Sequence, residues 1–280
     1  MSPPVIFARA ARRLRRDRAQ PCFAEYAFLR AVMLDGIADR LAVVTRSFGD
    51  VLDLGCFDAS FAPPPGARVA RLDPGFAFAS AAAGVQGDED RLPFADASFD
   101  LVVSAGVLDQ VDDLPGALAL IRRVLRPDGL FLGAFVGGAS LPRLRQAWRS
   151  AERDRPAARF HPAVDLRAAG DLLMRAGFAL PVADLETVEV GYPNMLRLTA
   201  DLRGMAASNL LAERQSSSRS GLVVAADAFQ AQAGPDGRVR ESFQIIHLTG
   251  WAPDPSQPKP ARRGSGVASL ATALRPPVKN

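Results

Sequence analysis

The sequence predicts an α/β protein built on a doubly wound, mostly parallel sheet. Three observations carry that reading. Short apolar runs, Val51–Leu54, Arg68–Leu72, Phe99–Ser104 and Leu130–Phe135, recur through the first half. Helical patterns and breakers separate them, the alternation that a parallel sheet requires. The first run ends in a turn, Gly55-Cys-Phe-Asp-Ala-Ser60, at the end of the sheet where doubly wound folds meet their ligands.

Taken in order, residues 24–47 place Phe28, Val32, Leu41 and Val44 at helical spacing, a helix packed ahead of the first strand. The first strand is Val51–Leu54 and the second Arg68–Leu72, ending at Asp73. Between them Pro63-Pro64-Pro65-Gly66 forbids a full helix. The helix dipole and free amides that usually face an anionic ligand there are expected to be weakened. A short strand is expected near Val85 and a fourth at Phe99–Ser104. Leu114–Leu125 reads as an amphipathic helix stopped by Arg126-Pro127-Asp128-Gly129, with a fifth strand at Leu130–Phe135. A helix follows Gly137 to about Arg153, and another spans Asp165–Ala176 with Gly177 as its cap. Residues 182–190 predict a strand, Pro193–Ala207 a helix and Phe243–Trp251 a final antiparallel strand. Gln215–Ser220 reads as a loop or the start of a mobile segment.

The organisation expected is a basic arm over 1–23, one domain over 24–252, and an extended or disordered tail over 253–280 rich in Pro, Arg and Ser. With 280 residues, 48% of them hydrophobic, the chain can bury one large core. The formal net charge is +4 and the pI is near 9.6, with arginines gathered in Arg12-Arg13-Leu14-Arg15-Arg16 and at Arg262-Arg263. Such an arm suits a membrane surface or acidic partner, or is a solvated helix face. No aromatic residue interleaves that first run, which argues against nucleic acid. Residues 1–18 are also Arg-rich with Asp17 as their one acid, the composition of a mitochondrial presequence or of a mature basic arm. No apolar run reaches the length of a transmembrane span. Cys22 and Cys56, with His161 and His247, stand at no metal-ligand spacing, so no zinc site or disulfide framework is expected. Cys56 reads as a small buried residue, His247 as core or edge of a strand, and His161 as a surface-loop residue.

The turn after the first strand resembles the start of class I methyltransferases, which hold S-adenosylmethionine with Asp-x-Gly-x-Gly-x-Gly. Asp53 and Gly55 match; Phe57 and Ala59 stand where the pattern has glycine. Glycine there permits positive φ and close approach of backbone to ligand. Phe57 either blocks that approach or swings into the core and leaves the turn its shape. Asp88 with Leu92-Pro93-Phe94, Ser98–Ser104 and Leu125–Gly129 also resemble that superfamily, and imply its seven-stranded sheet. The second half resembles the methyltransferase-fold assembly factors of respiratory complex I, of the arginine-hydroxylase type. The likeness rests on Leu172–Phe178, Val190–Asn194, Asp201–Asn209, Phe243–Trp251 and Pro260–Ser265, and on Val5-Ile-Phe-Ala-Arg before the basic run.

That resemblance implies S-adenosylmethionine binding and hydroxylation of an arginine on a complex I subunit. It implies a bacterial cytoplasmic protein, or one of the mitochondrial matrix if the source is eukaryotic. Carried over, Asp53, Gly55, Cys56 and Phe57 form the cofactor turn, and Asp53 is expected to receive its backbone amides. Asp73 matches the acid that holds the ribose, or merely shapes the turn before Pro74. Asp88 matches the acid near the adenine, or is a solvated loop acid within Asp88-Glu89-Asp90; Glu89 and Ser104, at the end of the fourth strand, are further cofactor-binding candidates. Asp109-Gln110 stands where these proteins have His-Trp. Gly204, Met205, Ser208 and Asn209 shape a substrate mouth or cap a helix. No catalytic residue and no metal site is assigned. With the turn altered, S-adenosylmethionine binding is expected to be weak or lost. The alternatives are a non-catalytic assembly chaperone, or a methyltransferase acting on a small molecule or an acyl carrier.

Overall fold

The computed structural model describes residues 5–152 and 157–258. The motif over 260–265 and most of the predicted tail lie outside them. The elements run α1 (Arg9–Ala19), a 3-10 turn (Gln20–Glu25), α2 (Phe28–Ala42), β1 (Asp50–Leu54), β2 (Arg68–Asp73), α3 (Phe76–Ala81), β3 (Val85–Gln86) and β4 (Phe99–Ala105). They continue through a 3-10 turn (Leu108–Gln110), α4 (Leu114–Val124), β5 (Leu125–Gly137), α5 (Pro142–Ala151) and α6 (Leu166–Arg175). The last are β6 (Ala179–Tyr192), α7 (Met195–Gly204), α8 (Arg219–Gln230) and β7 (Val239–Trp251).

One seven-stranded sheet has the order β3-β2-β1-β4-β5-β7-β6. Strands β1 to β5 pair in parallel, and β7 runs antiparallel between β5 and β6. This is the predicted doubly wound architecture. Successive strand residues face opposite sides. Leu52 and Leu54 therefore pack with α4 and α6 residues, whereas Val51, Leu101 and Val103 pack with Met33 and Ile37 of α2. A third cluster, around Phe243, Phe229 and Leu198, gathers α5, α7 and α8 beyond the carboxyl ends of the strands.

Local side-chain caps set the starts of α4, α6, α7 and α8. Asp113, Asp165, Asn194 and Ser218 each accept a bond from the first turn of the helix they precede, at Gly116, Ala168, Arg197 and Gly221. Each such cap stabilises its helix by about 1 kcal/mol. Gly177 ends α6 with φ +82°, as expected of a left-handed cap. No helix lies between β1 and β2, in keeping with the proline run.

Three expectations need correction. Arg126–Gly129 does not end the fifth strand's reach: Leu125 already pairs with Phe99, and the four residues form a bulge before Leu130 pairs with Leu101. Asp128 takes the bulge's left-handed turn at φ +59°. Helix α8 follows directly on the polar run read as a loop. Finally, the basic arm is not a free segment. Helix α1 lies against the strand ends with Arg12 and Arg16 buried, and Phe7 bridges to Leu211.

Candidate functional site

The turn after β1 keeps the shape of a glycine turn without its glycines. Gly55, Phe57 and Ala59 have φ of +75°, +46° and +57°. A Cβ on Gly55 would strike Val107, so that glycine is also sterically required. For Phe57 and Ala59 the left-handed region costs roughly 1–2 kcal/mol each. Packing offsets it at Phe57. Its ring stacks on Phe23 at 4.7 Å and meets Phe78 edge-on at 5.3 Å. The Arg16 guanidinium lies over the ring at 3.7 Å.

Asp73, at the end of β2, is where the polar site converges. Its Oδ2 accepts from the Phe57 amide at 3.0 Å and its Oδ1 from the Gly75 amide at 2.8 Å. Arg16 Nε donates to Oδ1 at 2.8 Å, and Arg16 Nη2 donates to Oδ2. A carboxylate offers about four acceptor positions. All are taken, and both partners are buried. Beside it Glu89 accepts both arms of Arg12, at 2.6 and 2.8 Å. Asp88 holds Arg13 at 2.7 Å with Arg9 at 3.2 Å, and Asp90 holds Arg9. Asp112 accepts the Ile6 and Phe7 amides. Arg9, Arg12, Arg13 and Arg16 lie three and four residues apart, so they share one face of α1. That face meets the acids proposed for ribose and adenine. Of these cations Arg12 and Arg16 are buried in ion pairs, while Arg9 and Arg13 pair with acids and keep part of their side chains exposed.

Asp53 departs from expectation. It is buried, and neither oxygen has a hydrogen-bond partner among the described residues; Arg30 Nη2 is 3.9 Å away. Burial pushes its carboxyl up to about 6, against the nearby Arg30 and Arg71. Arg30 instead bridges three carbonyls, of Gly55 at 3.1 Å, Cys56 at 3.0 Å and Ala105 at 2.6 Å, tying the β1 and β4 turns together. The Ser104 hydroxyl is buried and unpartnered among the described residues. Burial, then Asp73 and Asp53, pushes the Cys56 thiol up to about 12, so it is a packing residue rather than a nucleophile. Among the described residues no cluster of His, Cys, Asp or Glu could hold a metal.

A cavity of about 470 Å³ opens on the far side of Phe57. Gly106, Asp109 and Gln110 of the β4 turn form its floor, α5 gives Arg145, and the segment after α7 gives Met205, Ser208 and Asn209. Gly204 ends α7 pressed on the Tyr26 ring, which leaves no room for a Cβ. Asn209 is a brace: it donates to Ala158 O at 2.8 Å and accepts from Leu211 N at 2.9 Å. Both readings of that segment therefore hold, a helix end and a cavity wall. Burial lifts Asp109 to about 6. His161 is not a surface residue. Its Nε2 accepts from Leu210 N at 3.0 Å, its ring meets Phe7, and burial together with Arg15 and Arg145 depresses it to about 4. His247 is buried in β7 and meets Glu186 at 3.2 Å.

No acceptor on Asp73 remains for two ribose hydroxyls, and Phe57, Arg16 and Phe23 fill the space over the turn. Sequence reasoning found Asp73 and Phe57 but missed Arg12, Arg16 and Phe23. The available signal was the spacing of Arg9, Arg12, Arg13 and Arg16.

Residues 52–133 match the model of a methyltransferase domain. The "Arginine-hydroxylase NDUFAF5, mitochondrial" of Danio rerio is 36% identical, across 95% of this chain and 88% of that protein. The Homo sapiens protein of the same name is 34% identical, across 98% and 86%. A malonyl-[acyl-carrier protein] O-methyltransferase of Laribacter hongkongensis is 30% identical, across 85% and 87%. Among solved structures, a putative methyltransferase of Bacillus halodurans has TM-score 0.55 at 17% identity, covering 79% of this chain and 99% of that one. That likeness concerns the fold.

Proposed function

This chain belongs to the family of the mitochondrial arginine-hydroxylase NDUFAF5, and from that premise we propose that it serves the assembly of respiratory complex I by holding a protein subunit, with its cofactor position closed by its own helix α1. The observation that carries this is the buried Arg16–Asp73 pair, whose two bonds, with those from the Phe57 and Gly75 amides, take all four acceptor positions of the acid at the ribose position. To admit a ribose, Arg16 must leave a buried carboxylate. Breaking such a pair costs about 3–5 kcal/mol, or roughly 10²- to 10³-fold or more in affinity.

Isothermal titration with S-adenosylmethionine and S-adenosylhomocysteine tests the closure. No saturable heat is expected from the native chain; tight binding of either overturns it. Affinity capture from the native host tests the role. A complex I subunit or assembly intermediate is expected, and capture of none, with methylation of a small acid by pure protein, supports the acyl-carrier reading instead. The location would follow the source, the cytoplasm in a bacterium and the matrix in a mitochondrion.

A second reading, hydroxylation of a subunit arginine, is favoured by the acids retained at 53, 73 and 88 and by the unpartnered oxygens of Asp53. It requires α1 to withdraw. Mass spectrometry of the captured subunit decides it: an arginine gaining one oxygen only when the chain is present supports this reading over the first.

A further inference from the structure

The cavity carries a charge imbalance that the complex I role does not use. Arg15 and Arg145 line it half-buried, with the exposed Arg203 and Arg214 at its rim. Among the described residues none of the four has a carboxylate within 4.0 Å. Arg145 donates Nε to the Ser140 carbonyl at 2.9 Å and lies over the Phe160 ring at 4.5 Å, so its terminal nitrogens have no partner among the described residues. Arg15 spends one nitrogen on the Asn209 carbonyl. Burial, and then other arginines, lowers the proton affinity of both: Arg214 and Arg18 act on Arg15, and Arg149 on Arg145. Glu241 is the acid that acts on Arg145, but its oxygens already accept the amides at the start of α5, at 2.8 and 3.2 Å. Asp109 is the one carboxyl in the lining.

Half-buried cations with no carboxylate beside them are held at a cost that an anion removes. Met33, Tyr26, Phe57 and Trp148 give the wall apolar stretches among polar ones from Gln110, Ser208 and Asn209; Arg30 and Arg159 also line it but are already engaged, and the volume is that of a small-ligand site. We propose that this cavity binds a small oxyanion, a carboxylate or phosphate, carried on an apolar ring-sized body, with Arg145 and Arg15 gripping the oxyanion. Planar guanidinium donors match such groups in two-point fashion.

The test is titration calorimetry on the full chain with phenyl phosphate, benzoate, benzyl alcohol and benzamidinium. Both anions bind and lose affinity as salt rises, the neutral and cationic rings do not, and Arg145→Gln weakens phenyl phosphate tenfold or more. Arg15→Gln gives a second reading should Arg145→Gln fold poorly, and Arg175→Gln, on α6 outside the lining, leaves binding unchanged. Equal binding of benzamidinium, or wild-type affinity in both cavity variants, overturns the proposal. Competitive displacement of phenyl phosphate by S-adenosylmethionine also overturns it, because the site would then be the cofactor's. Binding of S-adenosylmethionine without displacement refutes the closed cofactor position and leaves the anion site standing.

Discussion

The two sides of the Phe57 ring hold similar residues in opposite states. On the α1 side, Arg9, Arg12, Arg13 and Arg16 each meet a carboxylate, and Asp73 has no acceptor left. On the cavity side, Arg15 bonds the Asn209 carbonyl and Arg145 the Ser140 carbonyl, and neither meets a carboxylate among the described residues. An arginine already paired is part of the fold. An arginine held in a cavity without a counter-charge is part of a site. Charge satisfaction, more than residue type, therefore separates structure from function in this molecule.

The hardest way to break that contrast is Asp73→Ala, which leaves Arg16 buried without its anion. We expect a loss of about 3–5 kcal/mol of stability in denaturant titration; a loss under about 1 kcal/mol, that of an exposed pair, would place Arg16 on the solvent side instead. Phe57→Gly comes next. Removing the ring costs about 3–5 kcal/mol and relief of the left-handed strain returns about 1, a net loss near 2–4 kcal/mol. If the ring is also what excludes S-adenosylmethionine, saturable binding appears in calorimetry of this variant alone. A native-like melting temperature would mean that the ring packs on nothing.

Asp53 offers a smaller, pH-dependent test. Its folded pKa, about 6, lies above the ordinary value of 3.8. The folded state therefore binds the proton more tightly than the unfolded one. Stability is highest below the lower value and falls as pH rises through the interval to about 6. Asp53→Asn should then be the more stable protein by roughly 1–3 kcal/mol at pH 8, with the advantage shrinking toward pH 4. Equal pH profiles for the two chains in thermal melts would show that Arg30 fully neutralises the carboxylate. The smallest effect belongs to Arg145→Gln, which removes a cation that no carboxylate holds. Its melting temperature should match the native one or exceed it slightly, the opposite of any change to Arg16.

Much of this was legible in the chain, for identifiable reasons. Val51–Leu54 and Leu101–Val103 are apolar on both faces because both faces of the sheet are covered, and so they announce a parallel core. Asp165 and Gly177 bracket α6 by their own chemistry. Helix α8 escaped notice because Leu222, Val223 and Val224 are exposed, so the sequence shows no clean stripe there. The Phe57 departure was visible, but not which way its ring lies, since that depends on Phe23 and Phe78 from distant segments. The basic run was read as a quantity of charge rather than as a spacing. Its positions 9, 12, 13 and 16 describe a polar face that seeks acids as an apolar face seeks a core. Asp53 was expected to accept amides, yet the guanidinium of Arg30 takes the carbonyls of the same turns and leaves the carboxylate unbonded.

The docking of α1 also orders events during synthesis. This helix leaves the ribosome well before its anchors: Asp73, then Glu89, and finally Asn209 and, for the Phe7 just ahead of it, Leu211. Until then its arginines have no acids to meet. The β1 turn can acquire its backbone shape as soon as β2 exists, but its ring gains the Arg16 cover only when the helix arrives. Helix α1 is thus made before its place exists, and until its anchors emerge the nascent chain presents an open turn under a loose cationic helix.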